Sequence, residues 1–185
     1  MNDEFIFVIK KGEELTEDEK ERLMEISIAE YPSFEKYYRE HKYYSVIKPQ
    51  MVGLVIKGDV IIGKGKLLWQ NVFVGDKKIK LFGFGVLIDS KHQGQGLGTQ
   101  LIKRYIEKAR ELDADVVYAS TSNPIIDKML PKLGFTKLSI PVTYTHAVTG
   151  YREQEKGRSY ILEFTEGLLK EIESQPLLYL GPGPL

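Results

Sequence analysis

The chain of 185 residues has no cysteine, one tryptophan and three histidines. Without thiols it forms no disulfides and performs no thiolate chemistry. With His41, His92 and His146 as its only imidazoles it is poor in the common zinc ligands, and no dedicated metal site is expected. An excess of charge of one sign is missing too: 26 basic residues face 26 acidic ones, a formal net charge of zero. The broad positive field that grips a phosphate backbone is therefore absent, and no nucleic-acid partner is expected. No apolar run approaches the ~20 residues that cross a bilayer. Met1-Asn2-Asp3-Glu4 is acidic where a secretory signal is basic, so the expectation is a cytoplasmic protein with no membrane partner. The length suits one domain, residues 1–185, since independent domains take roughly 100–200 residues. With 42% hydrophobic residues the chain can fill one core without covalent staples.

What is present alternates between two periods. Phe5 to Ile9 reads as a strand. Thr16 and Glu19 form the capping box of a helix that Pro32 should end near Glu30. Phe34 to His41, rich in charge and tyrosine, reads as a short helix or a lid-like loop. Met51 to Ile56, Val60 to Trp69 and Ile79 to Ile88 are strand-like runs joined by Lys57-Gly58-Asp59 and Gly75-Asp76, an antiparallel meander. The period then becomes helical, with Leu97, Leu101, Ile102, Tyr105, Ile106, Ala109 and Leu112 on one face. Val116 to Ser120 is a buried strand, and Asn123-Pro124 opens a helix that Gly134 stops after Leu133. Thr136 to Tyr144 and Ser159 to Phe164 close the pattern around a polar loop, Thr149 to Arg158. Gly181 to Leu185 shows no periodicity.

Gln93-Gly94-Gln95-Gly96-Leu97-Gly98-Thr99 lies between the strand ending at Ile88 and the following helix. Glycines let main-chain N–H groups approach an anion, and the helix start adds roughly half a positive charge, a pairing that suits a pyrophosphate. Turn geometry alone would also account for glycines at such a place. A Walker loop needs Gly-Lys-Ser/Thr after four intervening residues, and no such string exists. A dinucleotide fingerprint needs a glycine where Thr99 stands and an opening βαβ unit, and would show itself by binding NAD.

The string from Gln93 to Gly98 resembles the coenzyme A loop of the GCN5-related N-acetyltransferases (GNAT): Gln or Arg, two residues, Gly, one residue, then Gly or Ala. The resemblance extends to the run and turn Val86 to His92, and to Asn123 followed by Leu130 and by Leu133-Gly134-Phe135. It implies an α+β, α/β/α layered fold with a mixed, mostly antiparallel sheet whose fourth and fifth strands splay apart to admit the pantetheine arm of acetyl-CoA. It implies transfer of acetyl to a primary amine, here of a small molecule, by direct attack. Main-chain groups of Val86, Leu87 and Ile88 would meet pantetheine and the oxyanion, with Leu87 and Ile88 pairing with the arm. The amides of Gln93, Gly94, Gln95, Gly96, Leu97, Gly98 and Thr99 would hold the pyrophosphate, and Asn123 would touch the pantetheine end, although as a residue before proline it also suits a helix cap. A homodimer is compatible with all of this.

Two family positions differ. Leu130 stands where a tyrosine often protonates the thiolate, and Phe84 where a strand glutamate often serves as base. An amine of pKa ~10.4 is neutral in only about one molecule in 2,500 at pH 7, so a base or an apolar site has to offset ~4.6 kcal/mol. Asp89, His92, Tyr118 and His146 are the candidates, with His92 also readable as a surface residue. The two differences leave a non-catalytic acyl-CoA-binding regulatory module as the alternative. Tyr31, Phe34, Tyr37, Tyr38, Tyr43 and Tyr44, with Glu30, Glu35 and Glu40, would either receive a cationic amine or form a solvated face over packed rings.

Overall fold

A computed structural model describes residues 4–41, 47–155 and 157–183; Tyr43 and Tyr44 lie outside them. The chain forms two compact units, Met1–Leu68 with Phe84–Tyr105, and Trp69–Gly83 with Ile106–Leu185.

In the first unit β1 (Phe5–Lys11) pairs antiparallel with β2 (Met51–Lys57), and β2 with the first part of β3 (Val60–Val74). The turn between β2 and β3 passes through Gly58 at φ +59°, a conformation that favours glycine. Helix α1 (Glu17–Glu30) begins at the expected capping box: Thr16 Oγ1 accepts the Glu19 N–H at 3.2 Å and Glu19 Oε2 accepts the Thr16 N–H at 2.9 Å. Such a cap contributes about 1 kcal/mol. Pro32 starts a short 3-10 turn, Pro32–Phe34, that leads into α2 (Glu35–His41). Leu15, Leu23, Val52 and Leu54 are buried together, each contributing roughly 1.5–3 kcal/mol by leaving water. The unit also holds the end of β4 (Lys77–Ile88) and the start of α3 (Leu97–Glu111).

The second unit begins with the far ends of β3 and β4, joined through Gly75 at φ +57°. Leu81–Gly83 of β4 pairs parallel with Val116–Tyr118 of β5 (Val116–Thr121); pairing ends there although β4 continues to Ile88. β5 pairs antiparallel with β9 (Arg158–Glu163), and β9 with the two-residue β6 (Thr136–Lys137). A second sheet has the order β10 (Leu178–Gly183), β7 (Val142–His146), β8 (Arg152–Gln154). Apart from β4–β5 and β10–β7 the assigned pairings are antiparallel. Leu81, Val116, Tyr118, Ile161, Leu168 and Leu178 belong to this unit's core. Asp115 ties its centre: the carboxylate accepts the Lys80 N–H at 2.8 Å and the Thr165 hydroxyl at 2.6 Å, while its carbonyl accepts the N–H of Phe164 and of Thr165.

Three expectations about the last third change. The run from Thr136 to Tyr144 divides before Val142, where Pro141 supplies no N–H for a ladder, and its halves join different sheets. The polar loop contains β8, and the segment beginning at Leu178 forms β10, with Pro182 tolerated because β10 is an edge strand. Helix α5 (Leu168–Glu173), which buries Leu168 and Ile172, was not anticipated.

Candidate active site

The loop after β4 is fixed at both ends and open between them. Asp89 Oδ1 accepts the Lys91 N–H at 3.1 Å and caps a 3-10 turn, Ser90–His92. Gln93 Nε2 then donates to the Ile88 carbonyl at 2.9 Å, tying the loop back to the strand. At the other end the Gly96 carbonyl accepts the Gln100 N–H at 3.0 Å and Leu97 is buried, so α3 is anchored at its first residue. Gly94 and Gly96 adopt φ +78° and +75°, and a Cβ at either would meet nothing within 4 Å. Their glycine identity thus follows from backbone conformation, and the space above them is free. Gly98, in the first turn of α3, packs against β4, where a Cβ would touch Val86 Cγ1 and Ile88 Cγ1 at 3.7 and 3.8 Å. The first turn of a helix has N–H groups without intrahelical acceptors and a positive dipole end. Exposed glycines leading into such a turn fit the diphosphate of coenzyme A.

The edge offered by β4 follows from strand parity. Alternate residues send their N–H and C=O to opposite edges. The Asp89 N–H goes to the Ile62 carbonyl on β3 at 2.9 Å, whereas the carbonyl of Lys80 accepts the N–H of Asp115 at the entrance to β5. Odd-numbered residues therefore face β3 and even-numbered ones the other edge. Val86, and Ile88 through its N–H, present main-chain groups at the free edge, the Ile88 carbonyl being taken by Gln93, and Leu87 points its own at β3.

A cavity of about 60 Å³ lies in the first unit, lined by Arg22, Glu25, Ile26, Ala29 and Glu30 of α1 and by residues from Leu87 to Ser90. Arg22 organises its floor, donating to the Ile61 carbonyl at 3.1 Å and to Glu25 at 3.0 Å and standing 3.7 Å from Asp89. Of the four candidate bases only Asp89 lines this cavity, and its carboxylate already holds Lys91 and faces Arg22. His92 is partly exposed in the adjoining turn. Tyr118 belongs to the second unit, with its hydroxyl 3.0 Å from Ser159 Oγ, and burial pushes its phenol up to about 12. His146, also there, accepts the N–H groups of Val148 and Thr149 at Nδ1, both at 3.2 Å, and so shapes a turn. Asn123 Oδ1 accepts the Ile125 N–H at 2.9 Å as the cap of α4 (Pro124–Met129), which continues as a 3-10 turn from Leu130. Leu130 is fully buried, and the Phe84 ring sits against Tyr105 with centroids 6.5 Å apart.

On α2, Glu35 and Glu40 are engaged one turn away by Arg39 and Lys36, and Tyr38 is buried among Phe34 and Tyr37. The charges form a solvated face, but of the described rings only Tyr38 is packed away, since Tyr31 and Phe34 are about half exposed; Glu30 is the acid of that group that lines the cavity. Sequence reasoning passed over Arg22 and two lysines of β3, Lys64 and Lys66. The signal for the lysines lay in Gly63-Lys64-Gly65-Lys66, two charges at alternate positions of an otherwise apolar strand.

Solved structures share this fold at low identity. A GCN5-related N-acetyltransferase from Kribbella flavida aligns at 16% identity and TM-score 0.53 over 72% of this chain, which spans only 34% of that one. The yncA structure from Salmonella typhimurium, determined with its cofactor acetyl-CoA, aligns at 18% and 0.55 over 87% of this chain and 95% of its own. Escherichia coli ElaA aligns at 15% and 0.61 over 86% of this chain and 100% of its own. No curated protein matches the sequence. Residues 13–135 match the acetyltransferase (GNAT) family, two thirds of the chain and the whole stretch from α1 through the glycine loop to Phe135, and the protein belongs to that family.

Proposed function

We propose that the protein is an N-acetyltransferase that moves the acetyl group of acetyl-CoA to the primary amine of a small molecule. The observation that carries this reading is the loop from Gln93 to Thr99, tied to Ile88 by Gln93 and entering α3 through two left-handed glycines with open space above them. Acetyl-CoA bound there supplies an acyl group already activated as a thioester. The chain holds and aims it. Loop N–H groups take the diphosphate, Val86 and the Ile88 N–H offer strand-edge groups to pantetheine, and N–H dipoles near them favour negative charge developing on the acyl oxygen. Glu30, in the cavity beside Leu87 and Ile88, receives the cationic amine and accepts its proton, and Arg22 holds Asp89 in place.

The buried Leu130 and the Phe84 ring favour a second reading, a non-catalytic acyl-CoA-binding module, because neither supplies a proton acid or a strand carboxylate. Free-thiol release from acetyl-CoA, measured with and without a panel of amines, separates the two. Amine-dependent release is expected; tight binding with no release under any amine would select the module.

A further inference from the structure

Lys64 and Lys66 stand two residues apart on β3, so both side chains leave the same face of the strand. Neither reaches bulk water freely. Lys64 Nζ donates to Ser27 Oγ on α1, and Ser27 spends its own proton on the Leu23 carbonyl at 3.0 Å, so the hydroxyl meets the lysine only as an acceptor. Lys66 lies flat along β4: its Cε, Cγ and Cδ come within 3.1, 3.3 and 3.7 Å of the place a Cβ on Gly85 would take. Glycine at 85 is what lets the lysine stem cross the strand. Among the described residues no carboxylate, carbonyl or hydroxyl pairs with Lys66 Nζ. Burial lowers Lys66 to about 8, and burial together with the neighbouring Lys66 charge lowers Lys64 to about 7. An ammonium group withdrawn from water, as that of Lys66 largely is, is costly unless an opposite charge joins it. Gly85, over which Lys66 lies, immediately precedes Val86, the start of the edge assigned above to pantetheine.

We propose that Lys66, with Lys64 beside it, binds a carboxylate carried by the acceptor, so that the small molecule acetylated is an amino carboxylate rather than a simple or polycationic amine. This rests on the acetyl-transfer reading above. Lys66 takes the carboxylate, Glu30 takes the ammonium, and the acceptor is thereby held by both ends within the first unit. The reaction forms the amide C–N bond and breaks the thioester C–S bond; the amine proton leaves through Glu30 and the thiolate departs as coenzyme A.

The test compares ω-amino carboxylates of two to six carbons with their carboxamides at equal concentration of neutral amine, by free-thiol release. Wild type should favour the best carboxylate over its amide in kcat/KM by about tenfold or more. The preference should fall to near parity in K66M and largely return in K66R, with circular dichroism confirming folded variants. A second arm follows Lys66 by NMR in protein labelled at lysine Cε: N-acetyl-β-alanine should raise its titration midpoint, and the corresponding amide should not. Acetylation of amines without a carboxylate preference, or with one that survives K66M, overturns this assignment and leaves the acetyltransferase reading standing. Bound acetyl-CoA with no turnover of any amine overturns both. A midpoint that rises with acetate as much as with N-acetyl-β-alanine marks a site for free anions and also overturns the acceptor assignment.

Discussion

The phenol oxygen of Tyr105 accepts the main-chain N–H of Gly53 at 2.7 Å, and the same oxygen stands 2.5 Å from where a Cβ would lie at Gly53 and at Gly65. Helix α3 is thus seated on β2 and β3, midway along its length, by one fully buried ring and two absent side chains. Because the glycine loop leads into this helix, the fit helps to set where the loop sits.

Gly53→Ala places a methyl against both the hydroxyl and Leu101 Cδ1, the latter at 2.7 Å. We expect a loss of about 1–3 kcal/mol from overpacking. Tyr105→Phe, which removes one buried hydrogen bond and leaves an N–H unserved, should cost about 1–3 kcal/mol. Urea unfolding of both variants checks this; a Gly53→Ala protein as stable as wild type would show that the ring moves aside freely.

In the loop, Gly96→Asp puts negative charge and a side chain where phosphate is expected, and acetyl-CoA binding by calorimetry should disappear; Gly98→Glu drives a charged chain against Val86 and Ile88 and should weaken binding as well. Gly96→Ala tests conformation separately: at φ +75° alanine is strained by roughly 1–2 kcal/mol but touches nothing within 4 Å. Its affinity should fall only modestly. Unchanged affinity in a folded Gly96→Asp protein would falsify the assigned loop.

Tyr118 keeps its proton across the working range, since burial holds its phenol near 12. Tyr118→Phe should therefore leave the shape of the pH–rate profile between about pH 6 and 10 unaltered while costing about 1 kcal/mol through the lost Ser159 contact. A limb of the profile that vanishes in Tyr118→Phe would restore it as a proton carrier.

Lys66 gives stability a pH dependence of definite sign. Its folded value is about 8, whereas an unfolded chain keeps a lysine proton to about 10.4. Between those values the unfolded state binds more protons, so this residue's contribution to stability improves as pH rises through the window and is least favourable below it. Lys66→Met removes the disfavoured cation. Its thermal midpoint should exceed that of wild type at pH 7 by about 2–4 °C, and the difference should shrink towards pH 10. A difference that is flat with pH would mean that Lys66 is solvated in the folded chain.

Local signals were the legible ones. Thr16 with Glu19, the turns at Gly58 and Gly75, the stripe from Leu97 to Ala109 and the left-handed stop at Gly134 each follow from a few neighbouring residues, and each stands as expected. Pro131 accounts for the irregular end of the helix before it, which tightens into a 3-10 turn. The second sheet was hidden because β10 and β7 pair across more than thirty residues of chain, and no local pattern says which strand a short Leu178-Tyr179-Leu180 alternation will join. In the site, the loop was legible as a string. The cavity was not, because α1 and the turn after β4, which supply Arg22, Glu30 and Asp89, are separate segments, and nothing local to β3 says that α1 packs over Lys64.

Asp115 fastens a backbone amide 35 residues before it and a hydroxyl 50 residues after it. Three stretches of chain must let go together before any one of them frays, and closure of both loops has been completed before the carboxylate is satisfied. The amides of Lys80, Phe164 and Thr165 should accordingly rank among the slowest to exchange with deuterium, opening only when their whole unit opens, and Asp115→Ala should let the Lys80 amide exchange through a smaller opening while those of Phe164 and Thr165, which bond the main-chain carbonyl of residue 115, change less.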